Sequence, residues 1–295
     1  MQPLIIIAVL LLAASTIGRA ESLPTDANLV AAIDISGSVD PAAEALQFEG
    51  IAAAVRHPAF LQTVAAGFHH RIGFAVFAWS SHGHFLTLVP WTAIDSPATA
   101  AKVAAQLHKV RPMSRQFPPV IAGAEPRPWR RDLLTDVSAM IEHSSELLAR
   151  APFASARDVV NILANGTDNV AEGPDAARAR AISRGVVING LVLGGDAEVV
   201  SYFRERVRCG AGSFVLATHE PDDIAWAMLQ KFLLDLAARR SDPVGWSPLL
   251  EPGRPPAETP PDGPAGPAGT PRPIDTPDLS ISRQDLALLD RCSLL

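Results

Sequence analysis

Five consecutive residues, Asp34-Ile35-Ser36-Gly37-Ser38, place one carboxylate and two hydroxyls on alternate positions. Three hard oxygen donors at that spacing can converge on one point, and they suit Mg²⁺, Mn²⁺ or Ca²⁺ better than zinc or copper. The same string also reads as a turn whose Ser36 and Ser38 cap the following helix. Signs of catalysis are sparse. There is no GxSxG, P-loop or GxGxxG, and no pair of carboxylates is spaced for acid–base work, so no catalytic residue is assigned. His69-His70 and His82-Gly83-His84 flank one extended segment. Twelve extended residues separate such ends by about 40 Å, so these histidines read as surface loops. Cys209 and Cys292 fit no CxxC or Cys/His spacing, and whether they pair stays open.

The oxygen-rich string needs a frame to hold it. The apolar segment 28–34 reads as a strand that ends in Asp34, and 41–55 as a helix with Pro41 in its first turn. Segments 71–80 and 85–90 read as a strand pair around a Ser-Ser-His-Gly turn. Helices follow at 98–109 and 132–149, the second with Leu133, Val137, Met140, Ile141 and Leu148 on one face. A strand at 158–164, a helix at 174–184, a strand at 186–193, a helix at 197–208 and a strand at 213–217 complete the alternation. A last helix starts near Pro221. Strands alternating with helices imply crossovers and a mostly parallel, doubly wound α/β sheet covered on both faces. Asp34 then sits at the carboxyl edge of that sheet, where loops splay and ligands bind.

The chain has 295 residues, 48% of them apolar and 19% charged, enough for a sizeable core. A formal charge of −6 argues against a nucleic-acid partner. Residues 4–15 are an apolar run ending before Gly18-Arg19-Ala20, too short to span a bilayer comfortably. We read 1–20 as a cleaved secretory leader and the mature chain as periplasmic or secreted. Membrane contact arises here only if that leader stays uncleaved. The globular domain is expected at 28–240. Residues 252–277 hold ten prolines and four glycines in 26 positions. That composition marks 241–279 as a disordered linker, and 280–295 as a C-terminal segment with a short helix.

The string DISGSVDP resembles the first part of the metal-ion-dependent adhesion site of von Willebrand factor A domains. The Pro90-Trp91-Thr92 to Asp95 segment, Ala151-Pro152-Phe153 and Val187-Ile188-Asn189-Gly190-Leu191 resemble a bacterial group of exported proteins of this type. The likeness covers roughly 28–238. It implies a site completed by a threonine from a second loop and an aspartate from a third. Thr135, in Leu134-Thr135-Asp136-Val137, matches the second; the spacing also fits simple capping of the helix. The third loop departs from the family pattern, because Asn165-Gly166 stands where Asp-Gly is usual. Asparagine can offer a carbonyl oxygen but no charge, which weakens a hard-cation site. Asp136 and Asp168 lie close in sequence as possible auxiliary ligands, Asp168 also fitting a solvated turn.

The resemblance implies a divalent-cation-dependent protein-binding module, not an enzyme, whose metal is completed by an Asp or Glu of the partner. Two alternatives remain open at this point. One is a degenerate, metal-free interaction domain, and the other, less favoured, a metal-assisted hydrolase.

Overall fold

The computed structural model describes residues 22–81, 84–111, 134–170 and 173–237. The expected leader, the linker 241–279 and the segment 280–295 with Cys292 lie outside the described residues, as do His82 and Gly83. No described helix is long and apolar enough to cross a membrane.

Six strands form the central sheet: β2 (Asn28–Asp34), β3 (Ile72–Trp79), β4 (Phe85–Ile94), β6 (Asp158–Ala164), β7 (Val187–Leu193) and β8 (Val215–Thr218). Their order is β4-β3-β2-β6-β7-β8, and every pair is parallel except β3 with β4. A small parallel pair, β1 (Leu23–Thr25) with β5 (Phe153–Ser155), sits ahead of β2 and β6. The expected doubly wound sheet is therefore present. The chain builds outward from β2 through β3 and β4, then returns to lay β6 on the other side of β2. The crevice between β2 and β6 is the switch point, where the two following loops part in opposite directions.

Parity along β2 explains both layers. Leu29, Ala31 and Ile33 belong to a core shared with α1 (Pro41–Arg56), α3 (Pro97–Leu107) and α7 (Ile224–Ala237). Val30 and Ala32 belong to a second core under α4 (Val137–Ala149), α5 (Asp175–Ser183) and α6 (Ala197–Tyr202). All seven β2 residues are buried, which is why the strand reads as a near-continuous apolar run. Asp34 shares the parity of Val30 and Ala32, on the face that α4 covers.

Several elements differ from expectation. Strand β4 continues to Ile94, and its pairing with β3 is interrupted by register shifts between Phe74 and Phe77. Helix α2 (Pro58–Ala65) is additional to the expected elements; His57 caps it and Phe60 and Val64 bury its inner face. The helix expected over 197–208 changes to a π-helical turn at Phe203–Val207. There Phe203 seats directly on Gly190 of β7, where a Cβ would lie 2.7 Å from its ring. Strands β1 and β5 are too short for a readable alternation.

Helix α7 carries an unexpected polar seat. Its Lys231 and Asp235 are both fully buried. The Asp235 carboxylate accepts 2.7 Å bonds from Asn161 Nδ2 of β6 and Asn189 Nδ2 of β7. Lys231 Nζ stands 4.8 Å over the Phe214 ring. Burial lowers the Lys231 ammonium to about 7, opposed by Asp235. Burial likewise raises Asp235 to about 6, opposed first by Lys231.

Candidate metal centre

The first loop leaves β2 at Asp34 and is shaped by the carboxylate itself. Asp34 Oδ1 accepts the Ser36 backbone N–H at 2.7 Å, folding the chain back over the strand end. The Val39 N–H bonds the Ser36 carbonyl at 3.0 Å, and Asp40 then caps α1 by accepting from Ala42 and Ala43. The cap of α1 is thus Asp40, and the two serines are spare. Ser36 and Ser38 hydroxyl oxygens lie 3.2 Å apart. Asp34 and Ser36 are buried, while Ser38 is exposed.

The third loop reaches the first across the switch point. Ser38 Oγ donates to Asn165 Oδ1 at 2.9 Å, and Asn165 Nδ2 donates to the Ser38 carbonyl at 3.2 Å. Asp34, Ser36, Ser38 and Asn165 therefore form one unbroken chain of contacts. A Cβ on neighbouring Gly166 would meet nothing within 4 Å, so the loop crest is open there.

The second loop is joined to the third. Thr135 N–H donates to Asn169 Oδ1 at 2.8 Å, and the Asn169 N–H bonds the Thr135 carbonyl at 3.1 Å. Helix α4 starts at Val137, not at 132 as its apolar pattern suggests, because Asp136 is its N-cap and accepts from Ala139 N–H. Thr135 consequently lies in the loop, 3% exposed, rather than on the helix.

Asp168 serves the same helix start. Its Oδ2 accepts from Val137 and Ser138 N–H, and its Oδ1 from Val170 N–H. Burial raises its carboxyl above the ordinary range, opposed by those three backbone donors. In place of a solvated turn residue, Asp168 is a half-buried clamp between the third loop and α4. Two carboxylates at one helix N-terminus match the positive end of its dipole.

Sequence reasoning overlooked three neighbours, Asn169, Tyr202 and Gln47. Asn169 braces Thr135, and Tyr202 of α6 lies beside Asp168, its phenol raised above its usual range by burial first. From α1, Glu44 and Gln47 are wholly buried, and Gln47 Nε2 donates to the Asp34 carbonyl at 3.3 Å. Their polarity in the midst of an apolar helix face is the one available signal. His69 and His70 lie ahead of β3 and His84 beyond its far end.

As a donor set, Asp34, Ser36, Ser38 and Asn165 supply hard oxygens with a single carboxylate among them. Among the described residues no group of three or more His, Cys, Asp or Glu side chains gathers for a metal. The hydroxyl and amide oxygens fit a small hard cation, and the low ligand charge fits one bound weakly.

The model of one protein family matches residues 24–240, about three quarters of the chain, and its description is "Protein of unknown function (DUF1194)". This chain belongs to the DUF1194 family. No curated protein matches the DUF1194 chain in sequence. Among solved structures, it resembles proximal thread matrix protein 1 from the mussel byssus, with a TM-score of 0.51 and 15% identity. That match covers 74% of this chain and 49% of the mussel protein, so the chain spans about half that protein's length. A von Willebrand factor type A protein of Catenulispora acidiphila matches with a TM-score of 0.47 and 19% identity, over 72% and 43% of the two chains. The vWF domain of the type V pili tip protein Mfa5 from Porphyromonas gingivalis matches at 0.48 and 9%, over 74% and 97%. The DUF1194 domain shares its doubly wound α/β fold with the mussel matrix protein.

Proposed function

We propose that this chain is an exported binding module that holds Mg²⁺, or Mn²⁺ or Ca²⁺ in its place, and through it a protein ligand. The observation that carries the reading is the contact chain Asp34–Ser36–Ser38–Asn165, set at the β2/β6 switch point. Asp34, Ser36, Ser38 and Asn165 are the proposed ligands, with Thr135 supplying a third hydroxyl. Asp136 and Asp168 act from behind as the clamp on α4. With one carboxylate in the set, a divalent cation keeps positive charge, and an Asp or Glu of a partner protein completes it. The lack of an assigned base or phosphate cradle in the sequence favours binding over hydrolysis.

Thermal unfolding of the purified chain with and without millimolar Mg²⁺ or Mn²⁺ tests this. A ligand at a hundredfold excess over Kd stabilises by about 2.7 kcal/mol. A midpoint that no divalent cation moves supports the metal-free alternative, in which the same edge binds partners through ordinary surface contacts.

A further inference from the structure

We infer that Gln47 is a positioning residue for the proposed metal centre, setting the backbone that aims the Asp34 carboxylate from the opposite face of the sheet. The inference rests on the metal reading of Asp34.

Asp34 stands where the sheet opens. The β2–β3 ladder runs to the Asp34–Trp79 pair, and the β2–β6 ladder stops one residue sooner, at Ile33–Leu163. A strand end released from one neighbour is free to twist, and the Asp34 side chain would turn with it. Gln47, two turns into α1, reaches this point and donates its Nε2 hydrogen to the Asp34 carbonyl. A helix side chain thus takes up a role that strand pairing leaves off.

The energetics single out this contact. Gln47 is 0% exposed, and its Oε1 has no hydrogen-bond partner among the described residues. A buried amide with an unsatisfied oxygen is costly, and an apolar residue in its place would instead leave the Asp34 carbonyl without this donor. The two costs are comparable, so stability alone does not favour an amide here. The contact that the amide does make is with the residue bearing the one carboxylate of the donor set. Groups that orient a metal ligand from behind typically alter affinity 10- to 100-fold when removed.

The test uses the full chain and Gln47→Met, which keeps length and removes both polar atoms. Mn²⁺ affinity is measured by calorimetry, the metal-free unfolding midpoint by calorimetric scanning, and backbone amide exchange by mass spectrometry. We expect Mn²⁺ to bind at least tenfold more weakly. The metal-free midpoint should change little, because one orphaned oxygen is exchanged for another, and faster exchange should be confined to the peptide containing Ile35 and Ser36. Affinity within twofold of the parent chain overturns the inference. So does an affinity loss accompanied by a lower midpoint and faster exchange throughout β2 and α1, the pattern of a merely structural residue. If the parent chain binds no Mn²⁺, the metal reading itself fails, and exchange at Ile35 and Ser36 then decides whether Gln47 positions this strand end.

Discussion

Ser38 and Asn165 hold each other in both directions across the switch point, the serine hydroxyl donating to the amide oxygen and the amide nitrogen to the serine carbonyl. A carboxylate at position 165 would keep the first bond and lose the second. It would also face the Ser38 carbonyl with like partial charge until a cation arrived. Asn165→Asp should therefore lower metal-free stability by about 1 kcal/mol, the scale of one hydrogen bond. It should at the same time tighten Mg²⁺. Unfolding scans with and without Mg²⁺ check both signs, and a larger metal-induced rise in midpoint than in the parent chain is the expected result. A smaller rise would show that residue 165 does not face the cation.

Asp168 joins the third loop to the start of α4 through two N–H groups of that helix. Replacing it with alanine removes a capping carboxylate, a change that costs about 0.5–2 kcal/mol. For a domain of this size, we expect the midpoint to fall by about 2–4 °C per kcal/mol. Amide exchange should quicken at Val137 and Ser138 while Ala139, held by Asp136, keeps its protection. Equal quickening at all three would mean that the two aspartates do not cap independently.

Gly190 and Phe203 make a prediction for the core. A methyl group at 190 would lie 2.7 Å from a fully buried ring. Overpacking of this kind costs about 1–3 kcal/mol, so Gly190→Ala should shift the denaturant midpoint down without changing the slope. Gly166→Ala, on the open loop crest, should leave the midpoint near that of the parent chain.

The buried seat of α7 gives the pH dependence a definite sign. Lys231 holds its proton less firmly in the fold, with a value near 7 against an ordinary 10.5. Its contribution to stability therefore rises as pH climbs from about 7 towards 10.5. Asp235 holds its proton more firmly, near 6 against 3.8, so its contribution falls as pH climbs through that lower window. Lys231→Met should abolish the gain between pH 7.5 and 9.5, measured as the difference in unfolding free energy between variant and parent chain. An unaltered slope would show that Lys231 does not titrate in that range.

How much of this was legible in the sequence depends on how local each signal is. Strands 28–34 and 158–164 were readable to the residue, because buried parallel strands are apolar runs bounded by polar turns. The first-loop string was readable because Asp34, Ser36 and Ser38 meet through contacts two residues apart. The start of α4 was misread, since the cap that ends its pattern depends on Asp136 together with Asp168, which is 31 residues from the Val137 amide it binds. Asp168 read as a solvated turn for the same reason. Gln47 and the Asn161–Asp235–Asn189 seat were invisible because each joins elements far apart in the chain, and a polar residue in an apolar pattern does not announce its partner. Short pieces such as β1, β5 and α2 offer too few residues for periodicity to act on.

The claim on which the rest depends is that Asp34 and the two serines hold a divalent cation. Calorimetric titration of Mg²⁺ and of Mn²⁺ into the metal-stripped chain, beside Asp34→Ala, measures it directly. One saturable site is expected in the parent chain, weak for Mg²⁺ because a single carboxylate supplies the ligand charge, and no binding in the variant. Heat indistinguishable from dilution in the parent chain, or equal binding by Asp34→Ala, would contradict it.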